Sequence, residues 1–159
     1  MIYKFLSSKF YTDYPHSQFP ELEYKFIRPY IMICITVNQH TFALPLRSHI
    51  CHPYAYITNK AEKCGVDFSK AVYISDPKYI NNSTRPIIRT GEHQKLIGKE
   101  YIIKKMFVKY ISDFVDAYKS QDPNKIKQFK FSTLPYFQNI IDYERDILVS
   151  LKNNEVSTV

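Results

Sequence analysis

Arg47, Ser48, His49 and His52 fall within six positions, just where an apolar run stops. A guanidinium grips phosphate oxygens bidentately. A hydroxyl donates a hydrogen bond without adding charge, and imidazole is the side chain whose unperturbed pKa suits proton transfer near neutrality. Such a group at a strand end is placed to act on something anionic. The reaction that needs little more is metal-free cleavage of RNA. A base removes the proton of a ribose 2′-hydroxyl, the oxygen attacks the adjacent phosphate, and an acid protonates the leaving 5′-oxygen. Cations and donors stabilise the charge of the phosphorane. Taken singly, these residues are ordinary: Arg47 an ion-pair residue, Ser48 a turn residue, His49 and His52 loop residues. Their clustering carries the functional reading. Lys9, Tyr11, Arg28, Lys60 and Lys70 are the expected RNA-binding set, and Asp13 and Asp67 are the acids near the expected strand ends.

Other chemistries find less support. His16, His40 and His93 join His49 and His52 in no HExxH or His-Cys arrangement, so no metal site is expected and the first three carry no assigned role. Cys34, Cys51 and Cys64 are odd in number and widely spaced, which suits neither a disulfide framework nor a CxxC site and points to the cytoplasm. Cys34 reads as a small core residue. With only three glycines, the chain is a poor candidate for a P-loop or dinucleotide fold, and no cofactor is expected. The net charge of +7 attracts polyanions, above all nucleic acid. Rings alternate with bases at Tyr3-Lys4-Phe5, Lys9-Phe10-Tyr11, Tyr24-Lys25-Phe26, Phe107-Val108-Lys109-Tyr110 and Phe129-Lys130-Phe131. Single-stranded RNA is held by such cations and aromatic platforms. Yet 25 Tyr and Phe residues are too many to leave exposed, so most must be core. No 18-residue apolar run is present and the opening apolar stretch is too short for a leader, so no membrane association is expected.

The elements that must position these groups can be read from periodicity. Ile31, Ile33, Ile35 and Val37 alternate with Tyr30, Met32, Cys34 and Thr36, a period-2 strand pattern that Arg28-Pro29 opens. Asn38 to Thr41 is a polar break and Phe42 to Leu46 the return strand. A short strand is expected at Ile2–Leu6, with Ser7 or Ser8 capping a helical turn, a third at Tyr54–Thr58, a fourth after Val66 up to Ile74, and a fifth at Pro86–Thr90. Lys78 to Thr84 reads as loop. Gly91–Ile97 suits a short helix closed by Gly98. Lys99–Lys119 is the clearest helix, with Ile103, Phe107, Tyr110, Ile111, Phe114 and Tyr118 at steps of three and four. A further helix is expected from a capped start at Thr133-Leu134-Pro135 to about Leu151, with 152–159 a frayed tail. Strands first and helices later indicate α+β, as one domain over 1–151.

The chain resembles the ToxN-like endoribonucleases, the toxins of type III toxin–antitoxin systems, and within them the TenpIN/CptIN branch. The matching pieces are Ser7–Tyr14, Arg28-Pro29-Tyr30, Phe42–Ile50, Cys64–Val72, Gly98–Tyr101 and Phe131–Phe137, in that order and spacing. The resemblance implies a compact, twisted antiparallel sheet of the MazF/Kid type with helices around it and long C-terminal helices. It implies metal-independent cleavage leaving 2′,3′-cyclic phosphate and 5′-hydroxyl ends on cellular or phage RNA. The partner implied is a small structured, pseudoknot-like repeat RNA, which the toxin processes and which then blocks its groove in an RNA-mediated hetero-oligomer. The resemblance also implies that release of the toxin stops growth, in this family often during phage infection. Ser48 matches the family serine, Arg47 stands at a threonine position, Ile50 stands where the family has its catalytic lysine, and Arg28 matches a basic residue opening the central strand. His52 or His49 is then the substitute for the lysine. The expectation is that His52 transfers the proton, Ser48 and Arg47 hold the phosphate, and Arg28 and Lys9 line the groove. A non-catalytic single-stranded RNA-binding module, or a protein–protein adaptor using the helical third, would share much of this composition.

Overall fold

The structure, a computed structural model, describes residues 1–25, 27, 29–37 and 39–137. Arg28 and the expected helix and tail beyond Phe137 lie outside the described residues. Among those described, seven strands and four α-helices follow the chain: β1 Tyr3–Leu6, α1 Ser8–Asp13, β2 Met32–Val37, β3 His40–Arg47, β4 Ala55–Asn59, β5 Cys64–Asp67, β6 Val72–Tyr73, β7 Ile80–Asn81, α2 Thr90–Leu96, α3 Glu100–Ser120 and α4 Pro123–Lys127. The class is α+β. The strands form one sheet in the order β4-β5-β3-β2-β1-β7, with β6 also paired to β3, and every pairing is antiparallel.

The β2–β3 hairpin is the centre of this sheet, paired from Met32↔Pro45 to Val37↔His40. Alternation puts Ile33, Ile35, Phe42 and Leu44 on one face, where α3 covers them. Phe42 and Phe68 meet Phe107 of α3 at ring separations of 5.2 and 5.8 Å. Ile103, Phe107, Ile111 and Phe114 of α3 are buried, which is the stripe its periodicity requires. On the opposite face, Phe10 of α1 is fully buried between Tyr14 and Tyr79. Ser7 caps α1 by accepting the Phe10 N–H.

β3 has two successive partners on the side away from β2. Phe42 and Ala43 pair with β6, while Leu46 and Arg47 pair with β5. Pro45 stands at the changeover. The Leu46 N–H donates to Ile31 on the β2 side, so the Pro45 nitrogen, which has no hydrogen, faces the gap between β6 and β5. A proline inside a central strand is tolerated here because no neighbour asks for its N–H.

Three expected elements differ. The fourth strand is interrupted: the Asp67 carboxylate accepts the Ser69 N–H at 2.9 Å and turns the chain into a 3₁₀ turn at Phe68–Lys70 before β6. Pro86–Ile88 forms no strand and Ile87 is almost wholly exposed, so the fifth strand is absent there. The pairing with β1 is taken instead by β7, inside the stretch read as loop. Thr133 does not cap a helix. Its hydroxyl donates to the Ser69 carbonyl at 3.2 Å and to the Ala71 carbonyl, pinning the 3₁₀ turn, and Leu134–Tyr136 is itself a single 3₁₀ turn.

Candidate functional site

The sheet register brings the first site residues together. Arg47, the last residue of β3, lies opposite Gly65 of β5, and Asp67 follows two residues along on the same face, the diagonal neighbour of Arg47. Arg47 Nη1 donates to Asp67 Oδ2 at 2.9 Å. Gly65 is required at this crossing, because a Cβ there would sit 2.1 Å from the Tyr56 carbonyl oxygen of β4. Asp67 is fully buried. Burial alone would raise its pKa, but hydrogen bonds from His52 and Ser69 and the Arg47 guanidinium outweigh it and hold the carboxyl below its ordinary value.

His52 reaches the same carboxylate from the far end of the turn. Its Nε2 lies 3.3 Å from Asp67 Oδ1 and 3.2 Å from Ser69 Oγ, which itself donates to Asp67 Oδ1 at 2.7 Å. Its Nδ1 accepts the Tyr54 N–H at 3.3 Å, so the neutral ring carries its proton on Nε2. Both nitrogens are therefore turned to the protein. Arg47 and His52 thus hold the two ends of the 47–52 turn on one buried carboxylate.

Ser48 and His49 stand exposed at the apex, with Ser48 Oγ and His49 Nδ1 3.1 Å apart. His49 adopts a left-handed backbone, φ 59°, uncommon for a residue with a Cβ. Its Nε2 has no hydrogen-bond partner among the described residues. The Ile50 N–H donates to the Lys63 carbonyl at 3.0 Å, which seats this turn on the β4–β5 turn. There Lys60 is exposed without a partner among the described residues, and Lys63 points its amine at Cys51 Sγ, 3.8 Å away. His52, Cys51, Lys60 and Lys63 line an open recess of about 450 Å³.

The remaining expected residues lie elsewhere or are already engaged. Tyr11 packs on Tyr24 at 4.2 Å and burial pushes its pKa up to about 12. It lines a second recess together with Arg47, Lys70 and Tyr30. Lys70 is paired with Glu21 and donates to the Phe131 carbonyl at 2.8 Å. Arg47 carries a second carboxylate, Glu23, at 3.1 Å. Burial raises the Glu23 pKa, but the Tyr30 hydroxyl bound at 2.6 Å and the Arg47 charge bring it below its ordinary value. Lys9 pairs with Asp13 on α1 at 2.8 Å. Arg47 and His52 thus share Asp67 yet line different recesses, and Ser48 is among the lining residues of neither.

Glu21, Glu23, Ser69 and Lys63 escaped the reading of the sequence. Ser69 follows Asp67 at the spacing of an Asx turn, which is a readable signal. Glu21 and Glu23 lie in a loop whose docking no local pattern encodes. The other histidines have structural partners: His93 Nδ1 with the Tyr3 hydroxyl at 3.0 Å, His40 Nδ1 with the Tyr73 hydroxyl at 3.2 Å, and His16 Nδ1 with the Leu22 carbonyl at 3.3 Å. Of the described rings that alternate with bases, Tyr24 and Phe131 are exposed, whereas Phe10, Phe107, Tyr110 and Phe129 are core. Cys34 is half-buried on β2, and burial raises its pKa.

Among the described residues no cluster of His, Cys, Asp and Glu could hold a metal ion, and no helix is long and apolar enough to cross a membrane. No family model, curated protein or solved structure matches the chain.

Proposed function

We propose that the protein is a metal-independent endoribonuclease, acting in the cytoplasm as the toxin of a type III toxin–antitoxin system with a ToxN-like, MazF-type fold. The observation that carries this reading is the clamped turn. One buried carboxylate holds Arg47 and His52, and the apex between them presents an imidazole and a hydroxyl 3.1 Å apart to solvent. The resemblance along the chain, the net charge of +7 and the antiparallel sheet support it further.

In this reading His49 takes the proton of the ribose 2′-hydroxyl through its open Nε2. The oxygen attacks the adjacent phosphorus, and the bond to the 5′-oxygen breaks. The 2′,3′-cyclic phosphate is left on one product, and the 5′-oxygen takes a proton from solvent at this open surface. Ser48 donates to a phosphate oxygen, while Lys60 and Lys63 supply positive charge as the phosphorane forms. His52 works as a positioning residue, since its nitrogens already serve Asp67 and Tyr54. A folded repeat RNA that masks the same surface is the antitoxin partner.

Incubation with single-stranded RNA in EDTA tests the proposal. Shortened products with cyclic phosphate termini are expected, and His49→Ala should slow their formation by about 10²–10⁴-fold with an unchanged circular dichroism spectrum. A gel shift without shortening would instead identify an RNA-binding module.

A further inference from the structure

The second recess lies under the loop of residues 15–25. This loop places Glu21 on Lys70 and Glu23 on Arg47. Arg47 already has a carboxylate of its own from the sheet, Asp67. The loop also carries Lys25, whose amine stands 4.7 Å from the Tyr30 ring and acts on Glu23. With the loop in place three carboxylates face three cations. With it lifted, Arg47 and Lys70 face Asp67 alone, and the site gains a net positive charge.

The loop is attached in a way that allows this. Its backbone hydrogen bonds close on itself, from Gln18 and Phe19 to Pro15 and from Leu22 to Phe19. The His16 ring, on the Leu22 carbonyl, also closes within the loop, while the two carboxylates and the Glu21 N–H, which donates to the Tyr136 hydroxyl at 3.2 Å, tie it to the rest of the fold. Its apolar contacts are the buried Leu22, Phe19 against Tyr14 and Tyr136, and Tyr24 against Tyr11, and a cavity of about 30 Å³ remains beneath it. Tyr30 stands beside Arg47 with its ring 5.5 Å from the guanidinium and its hydroxyl on Glu23, a flat apolar surface next to two cations.

We propose that Arg47 and Lys70 form a phosphodiester-binding pair for a nucleic-acid strand, and that Glu21 and Glu23 are its built-in competitors, displaced when the strand binds. Carboxylate and phosphate oxygens satisfy a guanidinium and an ammonium in the same manner. The choice of nucleic acid as ligand rests on the endoribonuclease reading above. The pair would hold the strand beyond the turn where the cut is made.

The test uses a fluorescent single-stranded DNA decamer, which lacks the 2′-hydroxyl and is not cut, with anisotropy read against salt. Glu21→Gln with Glu23→Gln should tighten binding by about tenfold at low salt and steepen the logarithmic salt slope by about 1.4, the value for two further phosphates on a single strand. Adding Lys70→Ala to that variant should remove most of the gain. A folded double variant with native affinity and slope overturns the proposal. In the unaltered protein, the decamer should speed amide exchange at Gln18, Phe19 and Leu22, and unchanged or slower exchange there also overturns it, whether or not the variant folds. RNA cleavage without these effects removes the cover and keeps the enzyme. These effects without RNA cleavage keep the cover and remove the enzyme. No decamer binding by either form removes the phosphodiester pair.

Discussion

Replacing Asp67 by Asn keeps the shape of the side chain and removes its charge. Arg47 and His52 would then keep a polar neighbour but lose the anion that faces them both. Arg47 keeps Glu23, so the loss is that of charged hydrogen bonds, about 1.5–3 kcal/mol, and the urea midpoint of Asp67→Asn should fall accordingly. A native midpoint would show that the turn does not depend on this carboxylate. The same residue predicts an acid limb of stability. Its folded-state pKa lies below the ordinary 3.8, so the unfolded chain takes up the proton first. The stabilisation is complete above about pH 4 and is lost as the pH falls through the lowered folded value. Unfolding followed between pH 5 and 2 should show this loss, and Asp67→Asn should flatten it. Arg47, Ser48, His49, His52 and Asp67 were all legible in the sequence as chemistry near strand ends. That Asp67 joins Arg47 to His52 was not, because it depends on the β3–β5 register. Nor does a histidine's sequence context reveal that a backbone N–H occupies one nitrogen of His52 while Nε2 of His49 stays open, the difference on which the proposed choice between them rests.

Among the elements, β5 carries the least tolerance. At Gly65 an added methyl would meet the Tyr56 carbonyl, and the backbone on both sides must move. Gly65→Ala should destabilise by at least about 1–3 kcal/mol, read as a lowered thermal midpoint, and should disturb the amide signals of Arg47 and Asp67 in the NMR spectrum. Unchanged Arg47 and Asp67 signals would separate the β4–β5 crossing from the site. Nothing in the local sequence marks this role of Gly65, since close approach of a third strand leaves no trace in local pattern. Periodicity served α3 and the β2–β3 hairpin well, because each buries a complete face. It failed at Val66–Ile74 and at Pro86–Thr90 for different reasons. The first is bent by a side chain capping its own backbone, and the second has the right residues but no strand to pair with.

For the whole molecule the decisive quantity is where the excess of cations lies. Lys9, Arg47 and Lys70 are matched by Asp13, Asp67 with Glu23, and Glu21, whereas Lys60 on the β4–β5 turn has no partner among the described residues. The net charge of +7 thus does not by itself identify the face proposed to bind RNA. Lys60→Ala should weaken RNA binding for all sequences alike and reduce the salt slope by about 0.7, the single-strand value for one phosphate. An unaltered slope would move the binding face away from the open recess. Lys9→Ala, which removes a cation already spent on α1, should change the slope far less.

The changeover at Pro45 divides the labour of β3. On the flank away from β2, Leu46 and Arg47 after it pair with β5, and Phe42 and Ala43 before it pair with β6. The strand β3 is continuous with β2 throughout, yet on its other flank the two halves share no ladder across that residue. The end of the sheet that carries the 47–52 turn is therefore bonded like a separate leaf of a book, joined to the pages beneath α3 along the spine of the β2–β3 hairpin.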